Sequence, residues 1–184
     1  MDNEKTVQKP SALESVFDFV EVAVFALVMV AVLFAFFIRI VGVEGGSMND
    51  TLADGDRLVL TKAFYTPERG DIVVVRRENN TPLIKRVIAV AGDTVEIDTA
   101  DYMVILNGEK IVEPYVNYPT LTFDMYGPVT VPEGHVFVMG DHRDSSHDSR
   151  KNDIGCVDED MIVGKAVWRF YPLNAFGGIY DNMK

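Results

Sequence analysis

Cysteine is nearly absent from the chain, with Cys156 as the one thiol among 184 residues. An internal disulfide is therefore excluded, and any part of the protein outside the cytoplasm must be stable without one. We interpret the lone thiol as a packed or idle side chain. The chain has three histidines in addition to this cysteine, and they form no cluster of ligands typical of a structural zinc site.

Positive charge is also scarce. The chain has 17 lysines and arginines against 28 aspartates and glutamates, which gives a formal net charge of -11 and a pI near 4.6. A nucleic-acid partner would require a basic face to neutralise phosphates, so we expect no such partner. No internal repeat is present, and helical periodicity is scarce after residue 43.

One long apolar run is present near the amino terminus. Every residue from 22 to 38 is uncharged and apolar, and at about 1.5 Å per residue a helix of this length covers about 26 Å, close to a hydrocarbon core of about 30 Å. A cleaved signal peptide would have a shorter apolar region after a basic start. A buried core helix is another alternative, but a helix that is apolar on all faces suits lipid better than a small globule. The run predicts a transmembrane anchor over residues 16–42, with the lipid bilayer as partner.

The flanking charges predict an orientation. Lys5 and Lys9 precede the apolar run, and they favour a cytoplasmic amino terminus over the basic residues that follow the run. We therefore predict a single-pass protein of the cell membrane, with a short cytoplasmic tail over residues 1–15 and an extracytoplasmic domain over residues 43–184.

The predicted domain is mostly β. Segments rich in valine, isoleucine and phenylalanine recur, and Gly-Asp pairs supply turns between them. Asn107-Gly108 between two apolar segments predicts a type I′ hairpin, and the prolines and glycines of residues 113–134 predict a long excursion between strands. The predicted strands are 57–60, 72–76, 83–91, 94–97 and 135–139.

Ser47 follows Gly45 and Gly46 shortly after the apolar run. Glycines let a backbone approach a ligand closely, so this position suits a nucleophile. A Gly-Gly-Ser turn is more often a simple loop, and a catalytic interpretation therefore requires a base elsewhere in the chain.

Lys85 lies in an apolar predicted strand whose two-residue period places Leu83, Val87 and Ala89 on the same face. Desolvation lowers the pKa of a lysine, and a pKa brought from about 10.4 to about 7 or 8 makes it a competent general base. The alternative is a lysine whose stem packs on the sheet while its ammonium reaches water.

A dense polar segment from Gly140 to Arg150 follows the last predicted strand. It can be a solvated loop, or a loop braced by Asp–Arg pairs in which a serine orients the lysine amine. A Ser-His-Asp set is a third interpretation, because His142 and His147 lie beside aspartates. No third-ligand pattern accompanies the two histidines, so we expect no metal site.

Four motifs follow one another along the chain: GSMNDTL at 46–52, RGDIV at 69–73, IKRVIAVAGD at 84–93 and GDHRDSSHDSR at 140–150. Taken in this order, they resemble the bacterial type I signal peptidases, the leader peptidases of serine-lysine peptidase family S26, in a compact form like that of Gram-positive bacteria. The resemblance implies a signal-peptidase-like β-fold catalytic domain and a membrane-bound serine endopeptidase. It implies removal of signal peptides from exported preproteins after Ala-x-Ala-like sites, and we expect no cofactor.

Carried over motif by motif, the resemblance implies that Ser47 is the nucleophile and Lys85 the general base. Ser146 matches the serine that hydrogen-bonds the lysine amine. The loop residues matched as structural supports are Asp141, Arg143, Asp148 and Arg150. The side chains expected at the substrate cleft are Met48, Ile84 and Leu83.

Two residues depart from the family pattern. Asp50 stands where the family usually has proline, which removes a rigid φ. Gly45 stands where some members have a serine that helps the oxyanion hole, so the Ser47 N–H must act with water or another main-chain group.

Two other functions stay open at this point. One is an inactive, membrane-anchored β-domain that binds signal peptides or a partner, against which the presence of both Ser47 and Lys85 argues. The other is a self-cleaving serine-lysine regulator, which would usually carry a DNA-binding region that is not visible here.

Overall fold

The computed structural model describes residues 12–49, 51–61, 65–77, 82–117, 120, 124 and 127–180. Asp50, which stands where the family usually has proline, lies outside the described residues, as do Lys5 and Lys9. The chain divides into two units, residues 1–37 and residues 38–184.

The first unit contains helix α1, Ala12–Phe37. Its segment Leu13–Val32 is long and apolar enough to cross a membrane, with a mean hydropathy of 2.3, and none of it is buried. A helix that exposes apolar side chains all around suits lipid better than water, so α1 is compatible with a membrane anchor. The predicted boundaries differ from the structure, because residues assigned to the tail are already helical at Ala12 and the helix ends at Phe37.

The end of the predicted anchor is a strand instead of a helix. Ile38–Gly42 forms β1, which pairs antiparallel with Arg57–Thr61, placing Ile38 opposite Thr61. Isoleucine and valine lose side-chain freedom in a helix and pack well on a pleated surface. The apolar character of this segment fits either a helix or a strand, and its pairing with β2 therefore determines that it forms a strand.

The second unit is mostly β, as predicted. Within the described residues it has twelve strands, all paired antiparallel, and three short 3-10 helices. The strands are β1 (Ile38–Gly42), β2 (Arg57–Thr61), β3 (Ile72–Val75), β4 (Leu83–Val90), β5 (Thr94–Ile97), β6 (Val104–Leu106), β7 (Glu109–Lys110), β8 (Val129–Thr130), β9 (His135–Met139), β10 (Val157–Asp158), β11 (Ile162–Tyr171) and β12 (Gly177–Gly178). The 3-10 helices are Arg143–Ser145, Glu159–Met161 and Leu173–Ala175.

Two sheets contain these strands. The larger has the order β1-β2-β11-β3-β4-β9-β10, with β12 also paired to β11, and the smaller has the order β7-β6-β5-β8. All five predicted strands are present to within one residue at either end, and Asn107-Gly108 forms the turn between β6 and β7. The predicted excursion over residues 113–134 contains the short strand β8.

The longest strand is one that the sequence patterns did not predict. β11 lies in the middle of the large sheet, between β2 and β3, and its pairing shifts register at three places. Its segment mixes Gly164, Lys165 and Arg169 with the apolar residues, so it lacks the dense valine and isoleucine content of the other strands. In the first half of β11, buried residues nevertheless alternate with partly exposed ones. A two-residue period of this kind is the signal by which the strand could have been predicted.

Candidate active site

Ser47 is held in a tight turn by the residues on its carboxyl side. The Asn49 N–H donates to the Gly46 carbonyl at 3.0 Å, and the Leu52 N–H donates to the Met48 carbonyl at 2.8 Å. The side chains of Met48 and Leu52 are buried in the same apolar cluster. The turn is thereby fixed to the core immediately after the nucleophile candidate, while Ser47 itself stays partly accessible.

Lys85 reaches this turn from the buried strand β4. Its Nζ donates to Ser47 Oγ at 2.5 Å across 38 residues of sequence, and only 2% of the lysine is exposed. Burial lowers the pKa of Lys85 to about 8, while Asp148 raises and Arg150 lowers that pKa by smaller amounts. A lysine of this kind is partly in the free-base form near neutral pH and can accept the serine proton.

The prediction that Leu83, Val87 and Ala89 share the face of Lys85 holds for Leu83 and Val87 but not for Ala89. Leu83 and Val87 pack in one apolar cluster, as the two-residue period predicts. Ala89 packs in a different cluster, because the pairing of β4 with β9 shifts register between Val87 and Ala89. A bulge of this kind moves the following side chains to the other face.

Arg86 and Asp141 form a buried bidentate ion pair. The Arg86 Nε donates to Asp141 Oδ1 at 2.9 Å and Nη2 donates to Oδ2 at 2.6 Å. Thr51 Oγ1 also donates to Asp141 Oδ2, at 2.5 Å. One carboxylate therefore joins β4, the polar loop and the turn that carries Ser47.

Asp148 and Arg150 form a second buried pair within the same loop. The Arg150 Nε and Nη2 each donate to Asp148 at 2.8 Å, and the Gly140 N–H donates to Asp148 Oδ2 at 2.9 Å. Burial alone would raise the pKa of Asp148, but the hydrogen bonds from Arg150 hold that pKa below its usual range. The pair keeps Asp148 ionised and fixes the loop to the end of β9.

Arg143 connects the loop to a segment that the sequence did not assign to the site. Its Nη1 donates to Glu113 Oε2 at 2.7 Å, its Nη2 contacts Glu113 Oε1, and its Nε donates to the Gly140 carbonyl at 3.1 Å. Arg143 and the Glu113 side chain are both more than nine-tenths buried. The arginine therefore supports the loop from the side of residue 113.

Gly140 allows the loop and the nucleophile turn to meet. A Cβ at this position would overlap the Ser47 carbonyl oxygen and Ser146 Oγ. Ser146 therefore lies next to Ser47, and its buried hydroxyl is near enough to Asp148 to help lower the pKa of that carboxyl. The bond predicted between Ser146 and the Lys85 amine is not formed here.

The two histidines of the loop do not complete a Ser-His-Asp set. His142 donates its backbone N–H to the Ser47 carbonyl at 3.1 Å, while its Nε2 lies 2.8 Å from Asp144 Oδ1. The His147 ring is half exposed and pairs with Asp153. The partner of Ser47 Oγ is thus a lysine and not an imidazole. Over the part of the chain that is described, no group of three or more His, Cys, Asp or Glu is placed to hold a metal ion.

The three residues predicted at the cleft lie on two sides of β4. Met48 and Ile84 are both buried in the cluster beneath the Ser47 turn, whereas Leu83 lies in another cluster and on the wall of a cavity. Gly45, the other departure, has a φ of +83°. That left-handed conformation would strain a serine, which accounts for glycine here.

One edge of β4 is open beside the site. β3 pairs with β4 at Leu83–Arg86, but β9 pairs with it only from Arg86 to Val90. On the β9 side, residues 83–85 therefore have no strand partner within the described chain. Their backbone groups can pair with an added strand that ends next to Ser47 and Lys85.

Comparison with known proteins identifies the family of the chain. A family model described as signal peptidase, peptidase S26, matches residues 16–171. The chain belongs to the signal peptidase family. It is 39% identical to signal peptidase I of Bacillus licheniformis over 187 residues, covering 95% of this chain and 97% of that protein. It is 36% identical to signal peptidase IB of Staphylococcus aureus, covering 82% and 87%.

A crystal structure of a signal peptidase I from Enterococcus faecalis is also similar, with 29% identity, a TM-score of 0.46, and coverage of 56% of this chain and 98% of that one. As a member of the signal peptidase family, the protein is a protease and hydrolase of the serine class. Family membership supports the cleavage of signal peptides from preproteins, and the family is associated with membranes.

Three residues of this signal peptidase site escaped sequence reasoning. Arg86 follows the general base in an apolar strand, and a buried arginine requires a carboxylate partner; that requirement was the available signal. Thr51 lay inside the first motif without an assigned role. Glu113 had no local signal, because its partner Arg143 is 30 residues away.

Proposed function

We propose that the protein is a membrane-anchored endopeptidase that cleaves signal peptides with a Ser47-Lys85 dyad. The observation that carries the proposal is the 2.5 Å contact between Lys85 Nζ and Ser47 Oγ. Neutral Lys85 takes the proton from Ser47 as its oxygen attacks the scissile carbonyl, and the ammonium then gives a proton to the leaving amine. Water attacks the acyl-enzyme in the second half of the reaction, with the lysine again as base.

The main chain supplies the oxyanion donor in this proposal. The Ser47 N–H has no hydrogen-bond partner within the described residues, so it can donate to the oxygen of the tetrahedral intermediate. Gly45 contributes no hydroxyl, and water or another main-chain N–H completes the hole. Ser146 acts as a positioning residue, because its buried hydroxyl lies beside the Ser47 turn.

The open edge of β4 supports a defined mode of substrate binding. The end of the signal peptide adds as a strand along residues 83–85, and its alternate side chains point to opposite faces. The first and third residues before the cut face Ile84 and Met48, whose cluster is apolar and nearly closed. Small residues such as alanine fit there, and a charged or bulky residue does not.

The proposed orientation in the membrane is based on the sequence. Helix α1 spans the cell membrane once, the residues before it are cytoplasmic, and the β unit is extracytoplasmic, where preproteins emerge. The lysines near the amino terminus support this orientation.

A cleavage assay tests the proposed function. The full-length protein in detergent is mixed with a preprotein that ends its signal peptide in Ala-x-Ala, and with a variant that has phenylalanine at the position before the cut. We expect cleavage at the junction for alanine and loss of most of the rate for phenylalanine. Ser47→Ala should abolish cleavage, whereas the control Ser145→Ala, which removes an exposed serine of the loop, should not.

Equal cleavage of the alanine and phenylalanine substrates would remove signal-peptide processing as the function. Binding without cleavage by the wild type would instead favour the inactive binding domain.

A further inference from the structure

Arg169 of β11 reaches the Ser47 turn because the strand is irregular beside it. Ala166 and Arg169 are three residues apart, so a regular strand would place them on opposite faces. The pairing of β11 with β2 shifts register after Ala166, and as a result Ala166 lies opposite Leu60 and Arg169 opposite Leu58. Both leucines belong to the buried cluster beneath the Ser47 turn. The register shift therefore brings Arg169 to the face of the sheet on which that turn lies.

The Arg169 guanidinium binds two points of the segment that follows the Ser47 turn. Its Nη2 donates to the Thr51 carbonyl at 3.2 Å, and its Nη1 donates to Asp56 Oδ2 at 2.8 Å. The Asp56 side chain is only 3% exposed, and the same carboxylate oxygen accepts the Ala53 N–H at 3.0 Å. The arginine is thereby anchored by a buried carboxylate while its second nitrogen holds a main-chain carbonyl.

Thr51 is held from two sides of the site. Its hydroxyl donates to Asp141 Oδ2 at 2.5 Å, its carbonyl accepts from Arg169, and its N–H donates to the Met48 carbonyl at 3.1 Å. Met48 directly follows Ser47 in the chain. A displacement of Thr51 would therefore be transmitted to the nucleophile through the hydrogen bond to Met48.

We propose that Arg169 is a positioning residue for the nucleophile. It fixes the Thr51 carbonyl, and Asp56 holds the guanidinium in the orientation that this bond requires. Ser47 Oγ thereby stays within hydrogen-bond distance of Lys85 Nζ, and Arg169 acts on these two atoms only through the turn. This inference rests on the proposed function, because it assigns the attack on the substrate to the Ser47 hydroxyl.

The kinetics of Arg169→Met test the role, with the full-length protein in detergent and an Ala-x-Ala preprotein. Methionine keeps an unbranched stem but removes the guanidinium. We expect kcat to fall about tenfold, because small displacements of reacting groups cost this much or more, while KM should change by less than about twofold. The matched control is Arg57→Met, at an exposed position of β2, and it should keep the wild-type kcat.

Two further variants separate positioning from charge balance. Arg169→Lys keeps a cation that can donate to the Thr51 carbonyl, so it should recover part of the lost kcat. Asp56→Asn on the Arg169→Met background removes the carboxylate that the first change leaves unpaired. If Arg169 acts through Thr51, the double variant should be at least as slow as Arg169→Met. Recovery of kcat in the double variant would show that Arg169 only neutralises Asp56, and it would overturn the proposal.

Hydrogen exchange measured by mass spectrometry gives a readout that does not depend on activity. In Arg169→Met, peptides that cover residues 51–56 should exchange faster than in the wild type, because the turn has lost a fixed point. Peptides that cover β5 in the small sheet are the internal reference and should not change. Equal acceleration in both regions would indicate general destabilisation and overturn the proposal.

The kinetic outcomes distinguish this inference from the proposed function. If the wild type cleaves the preprotein and Arg169→Met has the same kcat as Arg57→Met, the positioning role is overturned and the proposed function stands. If the wild type cleaves no preprotein, the proposed function fails and the positioning role fails with it.

Discussion

Arg86 Nη2 and Asp141 Oδ2 lie 2.6 Å apart, between the strand that carries Lys85 and the loop that contacts Ser47. Neither side chain is more than 2% exposed. The Tyr115 ring covers the guanidinium at 3.8 Å from its centroid, and Thr51 donates to the same carboxylate. The ion pair therefore holds three segments of the site together, although neither residue contacts the reacting atoms.

We predict that Asp141→Asn lowers the free energy of unfolding by about 3 kcal/mol, because it leaves the Arg86 charge buried without a compensating carboxylate. Urea unfolding of the full-length protein measures the change. Asp101→Asn is the control, since Asp101 pairs with Lys110 at the exposed surface and should change stability much less. Equal losses for the two variants would show that burial does not determine the strength of the Arg86–Asp141 pair.

The contact between Ser47 and Lys85 predicts that the two residues act as one unit. Ser47→Ala and Lys85→Ala should each reduce kcat by about a thousandfold or more, and the double variant should lose no more than either single one. Circular dichroism should show folded protein in all three cases. If His142→Ala and His147→Ala abolish activity while Lys85→Ala keeps it, the base is a histidine and the proposed dyad is wrong.

The lowered pKa of Lys85 predicts how activity depends on pH. The base must be neutral, so kcat/KM should rise with pH and reach half of its plateau near pH 8, the pKa of the buried amine. A pH profile of cleavage with a single preprotein measures this value. A half-point near pH 6.5, the usual range for histidine, would contradict the assignment.

The same pKa predicts a cost in stability. Below pH 8 the native protein holds a buried ammonium, whereas in the unfolded chain the lysine is solvated with a pKa of 10.5. Lys85→Met should therefore raise the free energy of unfolding at pH 7, by at most about 3 kcal/mol at 1.36 kcal/mol per pKa unit. The gain should shrink between pH 8 and 10.5, as the wild type regains stability. A methionine variant less stable than wild type at pH 7 would contradict this account.

We predict that Gly140→Ala lowers activity although it changes no charge. Gly140→Ala would overlap the Ser47 carbonyl and Ser146 Oγ, so either the loop or the nucleophile turn must move. We expect kcat to fall at least tenfold, since displacements of about 1 Å cost this much or more. Gly42→Ala is the matched control, because a Cβ there contacts nothing within 4 Å; the two variants should differ clearly in a cleavage assay.

The proposed topology predicts the accessibility of the β unit. Protease added to intact spheroplasts should digest residues 43–184, because they lie outside the cell membrane in this proposal. Complete protection that only detergent reverses would place the unit in the cytoplasm.

The elements that sequence reasoning predicted are those determined by local patterns. The dense valine and isoleucine of β3 and β4 identify these strands, and Asn107-Gly108 identifies the hairpin. β1 and β11 escaped because their conformation depends on β2, to which both are paired. An apolar segment at the end of a helix has no local signal that distinguishes strand from helix.

The candidate site shows the same division. Ser47 and Lys85 could be paired in advance through the resemblance, and the structure brings their side chains into contact. The partner of Arg86 depends on a separation of 55 residues, and the position of the Ser146 hydroxyl depends on the detailed geometry of the loop. Neither is determined by residue type or spacing.

Within the described residues, the open part of the β4 edge is three residues long, which has a consequence for self-association. Unpaired sheet edges can recruit strands from other copies of a protein and cause aggregation, and short edges limit this risk. β9 occupies the rest of the same side of β4, so a neighbouring copy would find too few backbone groups for a stable sheet. A short extended peptide end, as in the proposed binding mode, requires no more than that, so this part of β4 can stay uncovered without offering a neighbouring copy a full strand pairing.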